Sequence, residues 1–236
     1  MAEFDASRAY TGRTVLTTSE SEITAGNLTR VLTRLLPLFR QNKTESDYLY
    51  WYYRGRQPIL TREKKFRPEI CNRVVENHAN EIVSFKKGYT FGEPVQYVRR
   101  SVKDEGKLDS DGDNGEAINL LNEIMACEDK ASKDEELAEW FYICGTAYRM
   151  ILPKSVEDGT ISDIEIETLD PRYTAVVYNT GFGRKPVMSI QEVTLETATP
   201  TGENGSRFRY CIYTPQEYFE VEEGEIVTQK AHALGA

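Results

Sequence analysis

Apolar positions recur at helical spacing early in the chain, where Leu28, Val31, Leu32, Leu35, Leu36 and Phe39 fall at i, i+3 and i+4. Thr24 is placed to cap that helix near Gly26, because a threonine oxygen can take one of the unpaired N–H groups of a first turn. Pro37 interrupts the run and predicts a kink or break, since its ring has no N–H to give. The aromatic block Tyr48, Tyr50, Trp51, Tyr52 and Tyr53 then leads to Gly55, a helix end. Residues 77–87 read as a short helix with Ile82, Val83 and Phe85 apolar and Gly88 as its stop. Breaks at Gly92 and Pro94 precede a strand expected through Val95, Tyr97 and Val98. Helical spacing returns at 117–126 and 135–144, the second closed by Gly145.

From Thr146 onward the period shortens to two. Strands are expected at 147–152, 161–168, 173–178, 187–195, 207–213, 218–221 and 225–229, separated by glycine-bearing turns. The fold class is therefore α+β, a helical first half followed by an antiparallel β-rich half. Three regions follow: a polar, flexible arm over residues 1–22, a mainly helical part over 23–145 with an acidic loop near 104–115, and a β-rich part over 146–236.

Composition adds little until charge is followed along the chain. The 236 residues carry a net charge of −9, which argues against a surface that simply wraps nucleic acid. Residues 101–140 hold thirteen acids against four lysines, and residues 41–100 hold twelve bases against seven acids. Such polarity suits an assembly in which unlike faces meet, or simply two solvated surfaces. No stretch approaches the roughly 20 apolar residues of a membrane span. The first thirteen residues show no secretory signal, so the reading is a protein made inside a cell and not placed in a membrane.

Candidate chemistry is sparse. Cys71, Cys127, Cys144 and Cys211 form no CxxC pair, which leaves reduced and mostly buried thiols as the expectation, with no metal. His78 lies in a polar helix start and suits a capping or surface role, while His232 sits in a tail without a partner motif. No phosphate-cradling GxxxxGK[ST] or GxGxxG is present, and Gly181-Phe-Gly183 reads better as a hairpin turn. Asp109-Ser-Asp111-Gly-Asp113-Asn-Gly115 resembles a calcium loop, but its sixth and twelfth positions hold Asn114 and Leu120 where glycine and glutamate are needed. Carboxylate pairs such as Glu135-Glu136 lie in hydrophilic settings that give no contrast between acid and base. The residues point to no enzyme, no catalytic residue and no cofactor.

One resemblance is specific. Tyr52-Tyr-Arg-Gly-Arg-Gln-Pro-Ile59 and Asn77-His-Ala-Asn-Glu-Ile-Val-Ser-Phe-Lys-Lys-Gly-Tyr-Thr-Phe-Gly-Glu-Pro-Val-Gln-Tyr97 are followed in order by Gly145-Thr-Ala-Tyr148, Leu169-Asp-Pro-Arg-Tyr173 and Val176-Val-Tyr178. Together, over roughly residues 25–230, the chain resembles the portal (head–tail connector) proteins of tailed bacteriophages. The resemblance implies a homo-oligomeric ring, usually of twelve copies, at one vertex of the virion capsid and assembled in the host bacterial cytoplasm. Double-stranded DNA would be packaged through it by a separate terminase and leave by the same channel. The implied partners are major capsid or scaffold proteins and head-completion proteins. The match is to the wing-forming portion; stem, clip and crown are expected to be absent from this chain.

Five large rings in six positions exceed what one helix face can bury. Tyr50, Trp51, Tyr53, Arg54 and Arg56 are therefore the candidate intersubunit contacts, an expectation that fails if all three rings are fully buried within one subunit. Two other readings compete: a monomeric protein-binding adaptor of a phage or prophage, favoured if Arg54–Arg67 faces solvent and the chain stays monomeric, and an enzyme using a divalent metal near Asp109–Asp113.

Overall fold

A computed structural model describes residues 12–70, 72–98, 113–157, 160–197 and 205–231. They form helices followed by mostly antiparallel strands, the α+β class expected. The chain divides into two compact units, one formed by residues 1–77 with 170–236 and the other by 78–169. This division cuts across the helical and β-rich regions read from the sequence, because the first helix shares its core with the last strands.

In the first unit, α1 (Ala25–Tyr53) begins at Thr24, whose N–H donates to Asn27 Oδ1 at 2.9 Å. The helix continues through Pro37 without a break. Its apolar stripe explains why: Leu28, Val31, Leu32, Leu35 and Phe39 are all buried on both sides of the proline, and fully burying each is worth roughly 1.5–3 kcal/mol. That burial offsets the hydrogen bond Pro37 cannot make. The stripe packs against a six-stranded sheet ordered β1-β4-β5-β6-β7-β8, made of β1 (Leu16–Thr18), β4 (Thr174–Asn179), β5 (Pro186–Thr197), β6 (Gly205–Tyr213), β7 (Glu217–Glu222) and β8 (Glu225–Ala231). Val177, Ile190, Ile212 and Phe219 face α1 from four neighbouring strands.

β1 corrects the expected arm. Residues 1–11 lie outside the described residues, but Leu16–Thr18 pair in parallel with Val177–Asn179 and Leu16 is buried. Just before it, the Asn42 side chain brackets the chain: Thr14 N–H donates to its Oδ1 at 2.9 Å and its Nδ2 donates to Thr14 O at 2.8 Å. A three-residue strand joined to a distant partner leaves no periodic trace in its own sequence.

The second unit holds α2 (His78–Phe91), α3 (Asp113–Cys127), α4 (Lys130–Cys144) and an antiparallel ribbon of β2 (Tyr148–Glu157) and β3 (Thr160–Leu169). Gly145 closes α4 with φ +69°, as expected. Gly88 does not close α2, which continues to Phe91. The added turn is held from α4, since Thr90 and Tyr142 hydroxyls lie 3.2 Å apart and Lys87 Nζ donates to Glu139 Oε2 at 2.8 Å. The helix ends instead at Gly92, where a side chain would collide with the carbonyl oxygen of Gly88.

The strand expected through Val95, Tyr97 and Val98 is irregular chain over those residues. Its backbone partner is a side chain: Tyr97 N–H donates to Asn122 Oδ1 at 3.1 Å, and Asn122 Nδ2 donates to Tyr97 O at 3.0 Å. One amide thus satisfies what a neighbouring strand would have. Most of the acidic loop lies outside the described residues, although Asp113–Gly115 open α3.

Candidate functional site

Beyond Phe39 the buried face of α1 turns polar, with Asn42, Glu45 and Ser46 replacing the leucines. Lys43 Nζ pairs with Glu192 of β5 and lies 4.4 Å from the centre of the Tyr173 ring. One turn further along the helix, Asp47 meets Arg172. That guanidinium is held by Asp170, with Nη2 2.6 Å from Oδ2, and it reaches Asp47 Oδ1 at 3.4 Å. It also lies 4.3 Å from the centre of the Tyr50 ring, in cation–π range. Burial alone would weaken the Arg172 charge; the Asp170 and Asp47 carboxylates outweigh it and raise the pKa above the ordinary value. At Asp47 burial wins, and the carboxyl is raised above its usual 3.8 despite Arg172 and Lys43.

This network fixes the last two turns of α1. Tyr48 and Tyr52 stack with centroids 6.3 Å apart, as side chains four residues apart on one face can. Tyr50 and Trp51 meet edge to face at 5.3 Å. The helix then stops by two paired bonds, Gly55 N–H to Tyr52 O at 3.0 Å and Arg56 N–H to Trp51 O at 2.8 Å, with Gly55 at φ +84°. This paired ending requires a left-handed residue at its centre, which is why glycine stands there. It also folds residue 56 back over the helix, and the Arg56 guanidinium lies 4.0 Å from the centre of the Trp51 ring.

Tyr50, Trp51 and Tyr53 are each half-buried, and Arg54 and Arg56 are exposed. The condition that would sink the expected interface, full burial of all three rings, is not met. Sequence reasoning missed Asp47, Asp170, Arg172, Lys43 and Glu192, which hold this surface in place. Asp170-Pro-Arg172 carried a usable signal, because an aspartate two residues before an arginine can accept its backbone N–H, as it does here at 2.8 Å.

Other candidate sites offer less. His78 Nδ1 lies 2.9 Å from Glu81 Oε2 at the exposed start of α2, the surface role expected. Cys144 and Cys211 are buried and Cys127 is exposed; Cys71 and His232 lie outside the described residues. Among the described residues no group of histidine, cysteine, aspartate and glutamate could hold a metal ion. The candidate calcium loop from Asp109 falls mostly outside them. A cleft of about 540 Å³ lies between residues 94–96 and helices α3 and α4. Its one buried carboxylate, Asp134, is already engaged by Lys130 and by Arg149 Nη2 at 2.6 Å.

The end of α1 thus presents a surface of rings and cations. The family profile described as "Phage portal protein, SPP1 Gp6-like" matches residues 35–233. The chain belongs to this family of phage portal proteins. No curated protein matches it. The portal family is a structural one that assembles as an oligomer at the capsid vertex of the virion. No helix among the described residues of this portal protein is long and apolar enough to cross a membrane.

Proposed function

We propose that this portal protein is a subunit of the vertex ring through which double-stranded DNA is packaged by a terminase and later ejected. Its outer surfaces then serve as a platform for capsid or scaffold protein and for head-completion protein. The observation that carries the reading is the family match over residues 35–233, joined to a half-buried aromatic surface at the end of α1. In a closed ring each copy meets its neighbours through two unlike patches. Tyr50, Trp51 and Tyr53, with Arg54 and Arg56, form one such patch in this reading. An acidic chain also suits a conduit, because strong phosphate neutralisation would hold DNA in place instead of letting it slide.

Negative-stain electron microscopy of the protein, with class averages scored for rotational symmetry, tests this. Rings with an axial hole are expected, and single particles at every concentration would overturn it. The adaptor reading has one observation in its favour, the exposure of most of the segment from Arg54 to Arg67. It also requires a monomer, so the same images separate the two.

A further inference from the structure

Between α1 and α2 the chain spends about twenty residues without joining a core. After a single 3-10 turn at Pro58–Thr61, residues 62–77 contain no helix or strand among those described, and none of them is buried. Connections this long are commonly either functional loops or linkers, and this one leads from the first unit to the second. The loop has fixed ties nonetheless. Gln57 Nε2 donates to Glu76 O at 3.2 Å and Asn77 Nδ2 to Tyr53 O at 2.9 Å, closing its base. Lys64 Nζ donates to Ile70 O at 2.7 Å and Arg73 Nη2 to Arg62 O at 3.1 Å, bracing its interior. What it presents is apolar: Phe66 is 89% exposed, Val74 69% and Ile70 50%. The same stretch, from Arg62 to Glu76, carries five bases against three acids.

An exposed apolar group rimmed by charge marks an interaction site. The charge selects its partner. Glu63, Glu69 and Glu76 are interspersed with the bases, which suits a protein surface better than a run of phosphates. This chain itself carries the complement: nine acids against two lysines from Asp113 to Cys144, with exposed Leu120 set between exposed Glu116 and Glu123 along α3. Positions four and three residues apart share one helix face, so α3 offers an apolar centre with an acidic rim.

We infer that the loop from Arg62 to Glu76 docks on the α3 face of a second copy of this chain. The inference rests on the ring reading above and supplies it with one pair of unlike, mutually complementary patches, as head-to-tail contact requires.

The test is complementation between copies, using the full chain and sedimentation velocity. A loop variant, Lys65→Glu with Arg67→Glu, and a helix variant, Glu116→Lys with Glu123→Lys, each place like charges across the contact. Each alone should weaken self-association about tenfold or more. An equimolar mixture should recover it, because each variant's loop then faces an opposite charge on the other variant. Phe66→Ala should weaken association without charge change. Unaltered melting temperatures are expected for all, since these side chains are exposed. Native-like assembly of the separate variants, or a mixture that does not recover, overturns the inference while leaving the ring reading intact. A loop variant that assembles normally but loses retention on duplex DNA overturns it in favour of a DNA contact. A native chain that stays monomeric overturns both.

Discussion

In the unit formed by residues 1–77 and 170–236, sixteen buried apolar side chains among the described residues close one continuous core between α1 and the sheet. In the unit formed by 78–169, the buried apolar residues among those described are Val83, Ala138, Ile143, Cys144 and Ile166. That second unit also buries charge. Asp134 is held between Lys130 and Arg149, and Glu128 accepts the Ile166 N–H at 3.1 Å. It leaves Ile82, Phe85, Tyr89, Leu120 and Phe141 exposed. Both units bury paired charge, Lys43 with Glu192 in the first and Lys130 with Asp134 in the second, so what separates them is the apolar area removed from water, of which the first removes far more. The contrast teaches that a small core does not by itself mark the partner surface, because both units leave large apolar side chains exposed, Phe66 and Phe182 in the first and Phe85 and Tyr89 in the second.

The largest effect should come from cutting the first core. Phe39→Ala removes a fully buried ring that meets Tyr210 edge to face at 6.4 Å, and should cost about 3–5 kcal/mol in urea unfolding. A comparable loss for Val83→Ala in the second unit would break the comparison.

Asp134→Ala comes next, at roughly 2 kcal/mol, because it strands Lys130 and Arg149 with their charges partly desolvated. Its pH dependence has a definite sign. Burial opposes ionisation of Asp134, but bonds from Lys130 and Arg149 prevail and hold the carboxyl below 3.8. Its contribution is therefore present above 3.8 and lost as pH falls through the lower folded value. Asp47 in the first unit runs the other way. Raised above 3.8, it favours the native state below that pH and loses that contribution as pH rises through its folded value. Urea midpoints of Asp134→Asn and Asp47→Asn against the native protein, between about pH 3 and pH 7, should shift in opposite directions.

Gly55→Ala should destabilise by about 1 kcal/mol, since φ +84° is costly for any side chain. Arg56→Ala should change the melting temperature least, with the exposed contact to Trp51 worth about 0.5 kcal/mol. Its sharper readout is self-association, which should weaken if the end of α1 is an interface. No change in association would remove Arg56 from that patch.

Much of this protein is legible in its residues alone, wherever the cause is local. The Thr24 start, the Leu28–Phe39 stripe, the glycine stops at 55 and 145 and all seven later strands follow from neighbouring residues, as does the α+β class. Backbone conformation, side-chain period and turn chemistry act over a few positions and leave their mark there. The aromatic surface is legible too, as an excess of rings over what one face can cover.

The tertiary structure decided what depends on residues far apart in the chain. Whether Pro37 breaks α1 depended on the core on either side of it. Whether Gly88 stops α2 depended on Glu139 and Tyr142 of α4. Residues 95–98 lost their strand to the Asn122 amide, and Leu16–Thr18 gained one from the distant β4. The cations beneath the candidate interface came from the same source, with Arg172 brought to Asp47 and Tyr50 by the packing of α1 on the sheet. Local sequence sets what each segment favours by about one or two kcal/mol, and a shared core of buried side chains outweighs that preference wherever the two disagree.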